Sequence, residues 1–212
     1  MTMPAVYFSH GQESGPWGAK IQAMAATVRD LGCRAESVDY RGIADPAERV
    51  ARLVRECNGV PEPLVLVGSS MGGHVATAAA AGVGAIGLFV LAPAFYIEGW
   101  EAQTPTGPDI PIVIVHGWRD DVVPVDNSIR YARENLATLH IVNGDHRLSA
   151  NIDEINFYLR RFVGELAGLD NNGWRSGGCN DESSNCDAGG NAGNGGVQRR
   201  NRTAGNDGTG GR

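Results

Sequence analysis

Two serines, Ser69 and Ser70, lie inside LVLVGSSMGGHVA (64–76), and a histidine, His74, follows the second by four positions. A serine hydroxyl becomes a nucleophile for acyl transfer only when a base activates it, so both the serine and the base must be identified. A nucleophile at the tip of a sharp strand-to-helix turn needs small residues two positions before and two after, because a side chain there would collide with the turn. Around Ser70 those positions are Gly68 and Gly72, whereas around Ser69 they are Val67 and Met71. The spacing selects Ser70 and leaves Ser69 as a small residue beside the turn.

His74 stands one helical turn beyond Ser70 and is carried away from the strand edge with its helix, so it reads as a helix-face histidine with a structural hydrogen bond. His146, in NGDHRL (143–148), is the better base because it follows the last apolar run of the sheet. A carboxylate must then fix the imidazole tautomer and stabilise the imidazolium. Asp120, with Asp121 beside it, follows another apolar run in HGWRDDVVP (116–124). Asp126, just past Pro124, reads as a helix N-cap. His10 and His116 each precede a glycine and read as supports for their loops. Ser70, Asp120 and His146 occur in the chain order Ser, Asp, His.

Short apolar runs alternate with amphipathic stretches, the pattern of βα units on a parallel sheet. Strands are expected at 4–9, 33–38, 63–68, 85–92, 110–117 and 137–142. One helix should carry Ile21, Met24, Ala25, Val28 and Leu31 inward, a second begins at DPAE (45–48), and the last carries Ile155, Leu159, Phe162, Val163 and Leu166. The expected fold is α/β, with about six parallel strands and helices on both faces. Ligands of such sheets bind at the carboxyl ends of the strands, where SHGQESGP (9–16), GSSMG, HGWRDDVVP and NGDHRL all fall.

The chain has 212 residues, 42% of them hydrophobic, and a formal net charge of -6. An acidic chain lacks the electrostatic footprint of a nucleic-acid binder, and the short basic QRRNR (198–202) is too isolated to supply one. The N-terminus lacks the charged and apolar regions of a signal peptide, and Thr77 to Ala92 is too short an apolar stretch to span a bilayer. The four cysteines show no metal-site or disulfide spacing, so a cytoplasmic protein without metal is expected. From about residue 171 the sequence turns Gly- and Asn-rich, which divides the chain into a domain at 1–170 and a tail at 171–212 expected to be disordered.

Residues 3–168 resemble a small α/β-hydrolase lacking the first two antiparallel strands. Four elements carry the resemblance in order: HG after the first strand, GSSMG, HGWRDDVVP and GDHRL. The chain is similar to compact bacterial esterases and to the acyl-protein thioesterase and carboxylesterase group. That resemblance selects Asp120 over Asp121 as the acid and implies backbone N–H groups of Gln12 and Met71 as the oxyanion donors. It implies cleavage of a carboxylic ester or thioester through an acyl-enzyme, with no cofactor. Other readings are the same triad acting on a C–C or amide bond, or a non-catalytic interaction module.

The stretch PAFYIEGWEAQTPTGPD (93–109) is too short for a multi-helix lid. Phe95, Tyr96 and Trp100 have two readings, as the lining of a substrate pocket or as packing of this loop onto the body. His10, Trp17 and Trp118 complete the candidate pocket. These aromatic residues suggest an apolar small-molecule substrate of modest size.

Overall fold

The computed structural model describes residues 2–169. The expected tail and its boundary at 170 lie outside the described residues. Six strands alternate with helices: β1 (Ala5–Ser9), α1 (Ala19–Asp30), β2 (Arg34–Val38), α2 (Pro46–Cys57), β3 (Leu64–Ser69), α3 (Met71–Ala80), β4 (Gly87–Leu91), β5 (Ile112–Gly117), α4 (Val125–Asn135), β6 (Thr138–Val142) and α5 (Ile152–Leu166). All neighbouring strands pair in parallel, in the order β2-β1-β3-β4-β5-β6. Every expected strand forms, trimmed or shifted by up to two residues at its ends.

The sheet is buried on both faces. On one, Ile21, Met24 and Val28 of α1 pack with Ile155, Leu159 and Phe162 of α5 against Val6, Phe8, Val65 and Val67. On the other, Leu53 and Cys57 of α2, Val75 and Ala79 of α3 and Tyr131 of α4 cover Tyr7, Leu66, Leu88 and Ile114. Burial on both faces explains why the central strands read as unbroken apolar runs.

Register decides where the polar residues emerge. Ser9 pairs with Gly68, Ser69 with Leu91 and Gly117 with Val142, so the loops after β1, β3, β5 and β6 leave one edge together. Between β4 and β5 the chain forms only a short 3₁₀ turn, Glu101–Gln103, so no helical lid covers that edge. No helix among the described residues is long and apolar enough to cross a membrane.

Two expectations about helix starts resolve differently. Asp45 caps α2 by accepting from the Ala47 N–H at 3.0 Å, as DPAE suggested. Asp126, by contrast, does not cap α4. Pro124 occupies the cap position, and Asp126 lies in the first turn, where its charge still complements the helix dipole.

Candidate active site

The turn from β3 into α3 is as tight as the glycine spacing requires. A Cβ on Gly68 would overlap the Gly72 carbonyl, and one on Gly72 would overlap the carbonyls of Ser9 and His10. Ser70, between them, has φ 56° and ψ -122°. Such a conformation costs a non-glycine residue about 1–3 kcal/mol and persists only where its surroundings enforce it. The enforcement is visible: the Ser70 N–H donates to the Leu91 carbonyl at 2.9 Å, and the Ser70 carbonyl accepts from Gly73 at 2.9 Å and Ala94 at 3.1 Å.

Ser70 Oγ lies 3.0 Å from His146 Nε2, and His146 Nδ1 lies 2.8 Å from Asp120 Oδ2. The Asp120 side chain is fully buried and that of His146 is 17% exposed. Burial alone would raise the Asp120 pKa. Donation from the Val123 N–H, His146 and the Val122 N–H outweighs it, and the pKa is lowered. An ionised carboxylate only accepts, so His146 Nδ1 carries the proton and Nε2 is left to accept from the serine. The loops after β5 and β6 are joined directly, since Trp118 donates to Val142 and Arg119 to Gly144, each at 2.9 Å.

The two residues expected to supply oxyanion donors each adjoin a residue of this turn region. Gly11 packs beside Ser70, so that a Cβ on Gly11 would sit 3.6 Å from the serine Cβ, and Gln12 follows it. Met71 is the first residue of α3. Among the described residues, neither the Gln12 nor the Met71 N–H donates to a protein acceptor.

His74 is not a partner of Ser70. It is half-buried, its imidazole is hydrogen-bonded to the Ala94 backbone, and burial lowers its pKa despite that bond.

Several expected pocket residues are corrected. Phe95 is fully buried and stacks on Tyr131 at 4.0 Å, so it packs the loop onto α4 and cannot line an open pocket. His10 is also buried and binds backbone groups of Gly11 and Tyr40, as a support for its loop. The Tyr96 hydroxyl donates to Glu134, and Arg130 lies over its ring at 3.9 Å, which ties Tyr96 to α4 as well. Trp17 lies beside Gln22 and Arg29, with the guanidinium 5.4 Å from its ring. Trp118 is 58% exposed. Trp100 lines a groove of about 660 Å³ with Asp45, Val50, His74, Ala78 and Gln103, and none of Ser70, Asp120 and His146 lines it.

Two residues at the site, Lys20 and Arg49, escaped the sequence reading, and a third, His116, reads in the sequence only as a support for its loop. Lys20 Nζ donates to Ser69 Oγ at 3.0 Å and to the Arg147 carbonyl at 2.8 Å, bracing the serine turn against the His146 loop. Nothing in its type or spacing marked it. His116 reaches Asp120 as well as its own loop. Arg49 is 2% exposed and donates to the carbonyls of Ile43, His10 and Gly11. A signal for Arg49 existed, because it stands four residues before Leu53 and eight before Cys57, on the buried stripe of α2.

Comparison with known proteins agrees with this architecture. A family model for an alpha/beta hydrolase domain matches residues 21–154. The structure is similar to a hydrolase of the alpha/beta superfamily from Xanthomonas campestris, with TM-score 0.72 and 28% identity, over 77% of this chain and 99% of that one. It is similar in fold to Est1E from Butyrivibrio proteoclasticus (TM-score 0.67, 18% identity, 77% and 88% covered). The same holds for mouse alpha/beta hydrolase domain-containing protein 10 (TM-score 0.65, 20% identity, 77% and 90% covered). No match is found among the curated proteins.

Proposed function

The chain belongs to the α/β-hydrolase family, and from that membership we propose that it is a serine hydrolase cleaving carboxylic esters or thioesters of small to medium apolar acyl groups. The observation that carries the proposal is the continuous relay from Ser70 Oγ through His146 to the buried Asp120, at 3.0 and 2.8 Å.

In the first step His146 Nε2 takes the Ser70 proton as Oγ attacks the substrate carbonyl carbon. The resulting imidazolium is stabilised by Asp120. The oxyanion is held by the N–H groups of Met71 and Gln12. Collapse of the tetrahedral species expels the alcohol or thiol, which takes the proton back from His146, and leaves an acyl-Ser70 ester. Water, deprotonated by the same imidazole, attacks that ester, releases the carboxylic acid and restores Ser70.

The short connection between β4 and β5, with no helical lid, supports a small molecule reaching the site directly. The reaction is assigned to residues 1–170 and to no cofactor, membrane or nucleic-acid partner. The free, buried thiols of Cys33 and Cys57 support a reducing, cytoplasmic setting.

A p-nitrophenyl ester series of increasing acyl length, run beside acyl-CoA thioesters, tests the substrate class. Ser70→Ala should lower kcat/KM by about 10⁴- to 10⁶-fold and abolish labelling by a fluorophosphonate. Near-wild-type turnover by this variant would refute the assignment.

A further inference from the structure

Arg49 is a buried cation with no carboxylate partner among the described residues. Its Nε donates to the Ile43 carbonyl at 2.7 Å, and its Nη1 is shared between the His10 carbonyl at 3.5 Å and the Gly11 carbonyl at 3.3 Å. The guanidinium carbon lies 5.4 Å from the Tyr40 ring centre. A desolvated charge without a counter-ion is costly and has to be held by hydrogen bonds.

Part of the Arg49 field falls on the peptide unit after Gly11. His10 Nε2 accepts from the Tyr40 N–H at 2.9 Å, so the proton of the neutral ring resides on Nδ1. Nδ1 lies 2.7 Å from the Gly11 carbonyl oxygen and therefore donates to it. Burial lowers the His10 pKa, and the neighbouring Arg49 charge acts in the same direction, keeping the ring neutral in this bridging tautomer. The Gly11 carbonyl thus receives both His10 and Arg49. Its peptide continues into the N–H of Gln12, and in a trans peptide the two groups point in opposite directions.

Resting on the hydrolase reading above, we propose that Arg49 and His10 are positioning residues for the oxyanion hole. They hold the Gly11–Gln12 peptide with its carbonyl turned inward and its N–H turned towards Ser70, and their donation strengthens that N–H as a donor. Hydrogen bonds to one end of a peptide polarise the other, so the positive charge of Arg49 reaches the developing oxyanion through the amide. The interaction grows only as charge appears on the substrate oxygen, so it acts on the transition state more than on substrate binding.

The test compares Arg49→Gln, which removes the charge, with Arg49→Lys, which keeps it. The readouts are kcat and KM on p-nitrophenyl acetate and the Ki of an aryl trifluoromethyl ketone, whose serine adduct carries the oxyanion. The expected result for Arg49→Gln is a kcat lower by about 10- to 100-fold, somewhat less than loss of a whole oxyanion donor. KM should stay within twofold and Ki should weaken in parallel with kcat, while Arg49→Lys recovers part of both. Equal kcat for the two variants, or a loss confined to KM with Ki unchanged, overturns the proposal. Should Arg49→Gln fail to fold, His10→Gln decides by the same readouts, and a wild-type kcat there overturns it. Absence of Ser70-dependent hydrolysis in the wild type would instead overturn the hydrolase reading, and this proposal with it.

Discussion

His116 Nε2 lies 2.9 Å from Asp120 Oδ2, the same oxygen that accepts from His146 at 2.8 Å. Nε2 also faces the Val123 carbonyl at 3.0 Å, so it carries the ring proton, and Nδ1 accepts from the Ser128 hydroxyl at 2.7 Å. Among the described residues the carboxylate has three donors, His146 on Oδ2 and the Val122 and Val123 N–H groups on Oδ1 at 2.9 and 2.8 Å, while the His116 ring proton goes to the Val123 carbonyl beside it. Asp120 is held by its own loop and by His146 before a substrate arrives.

Removing either member of this pair should slow turnover, to different degrees. Asp120→Asn leaves the geometry but permits the wrong imidazole tautomer, and kcat should fall by about 10⁴-fold. His116→Leu leaves those three donors but removes the imidazole that bonds Ser128 and the Val123 carbonyl, and a smaller drop, roughly tenfold, is expected as the Asp120 loop loosens. Steady-state kinetics on p-nitrophenyl acetate measures both, and equal losses would contradict the ranking.

Gly72 and Gly15 should respond oppositely to one added methyl group. Gly72→Ala drives a Cβ into the Ser9 and His10 carbonyls, main-chain atoms that cannot move aside without opening β1 from α3. A destabilisation of about 3 kcal/mol or more is expected. A Cβ on Gly15 meets nothing within 4 Å, so Gly15→Ala should stay within about 0.5 kcal/mol of wild type. Urea unfolding of the two variants gives the comparison.

Acid should destabilise the fold below about pH 6.5. Burial is the largest influence on His10, His74 and His116, and each has its pKa lowered from 6.5. Below 6.5 the unfolded chain takes up protons that the folded protein refuses, so stability is lost as pH falls towards the lowered folded values. The urea midpoint should therefore drop between about pH 7.5 and 5, and a flat profile would count against neutral buried imidazoles.

Lys20 makes a prediction on the alkaline side. Desolvation lowers its pKa from 10.5 to about 8, against the attraction of Asp145 and Asp120. The folded protein releases this proton more readily than the unfolded chain, so the buried charge opposes folding fully below about pH 8. That opposition vanishes as pH rises through 10.5. Wild type should gain stability relative to Lys20→Met over that window, and a constant difference between their unfolding midpoints would show the charge is not buried as described.

The main chain was largely legible from the sequence because both signals were local. Apolar runs bounded by turns marked all six strands, and Gly68 and Gly72 singled out Ser70. Bringing His146 to Ser70 required only the rule that parallel strands end at one edge. What stayed hidden depends on contacts far apart in the chain. Phe95 and Tyr96 could be loop packing or pocket lining until α4 was seen against them. Arg49 shares the buried stripe of α2, but its acceptors in the loop after β1 become visible only once Tyr40 and that loop close over it. His116 gave half its role, because the carboxylate it meets is reached only by the fold of its own loop.

The bonds of Lys20 also bear on how the molecule comes into being. Its two acceptors, on Ser69 and Arg147, lie 49 and 127 residues along the chain. Until residue 147 has been synthesised this ammonium has only one of its two tethers. A chain ending before β6 therefore lacks not only this tether but also the imidazole that stands 3.0 Å from Ser70 Oγ.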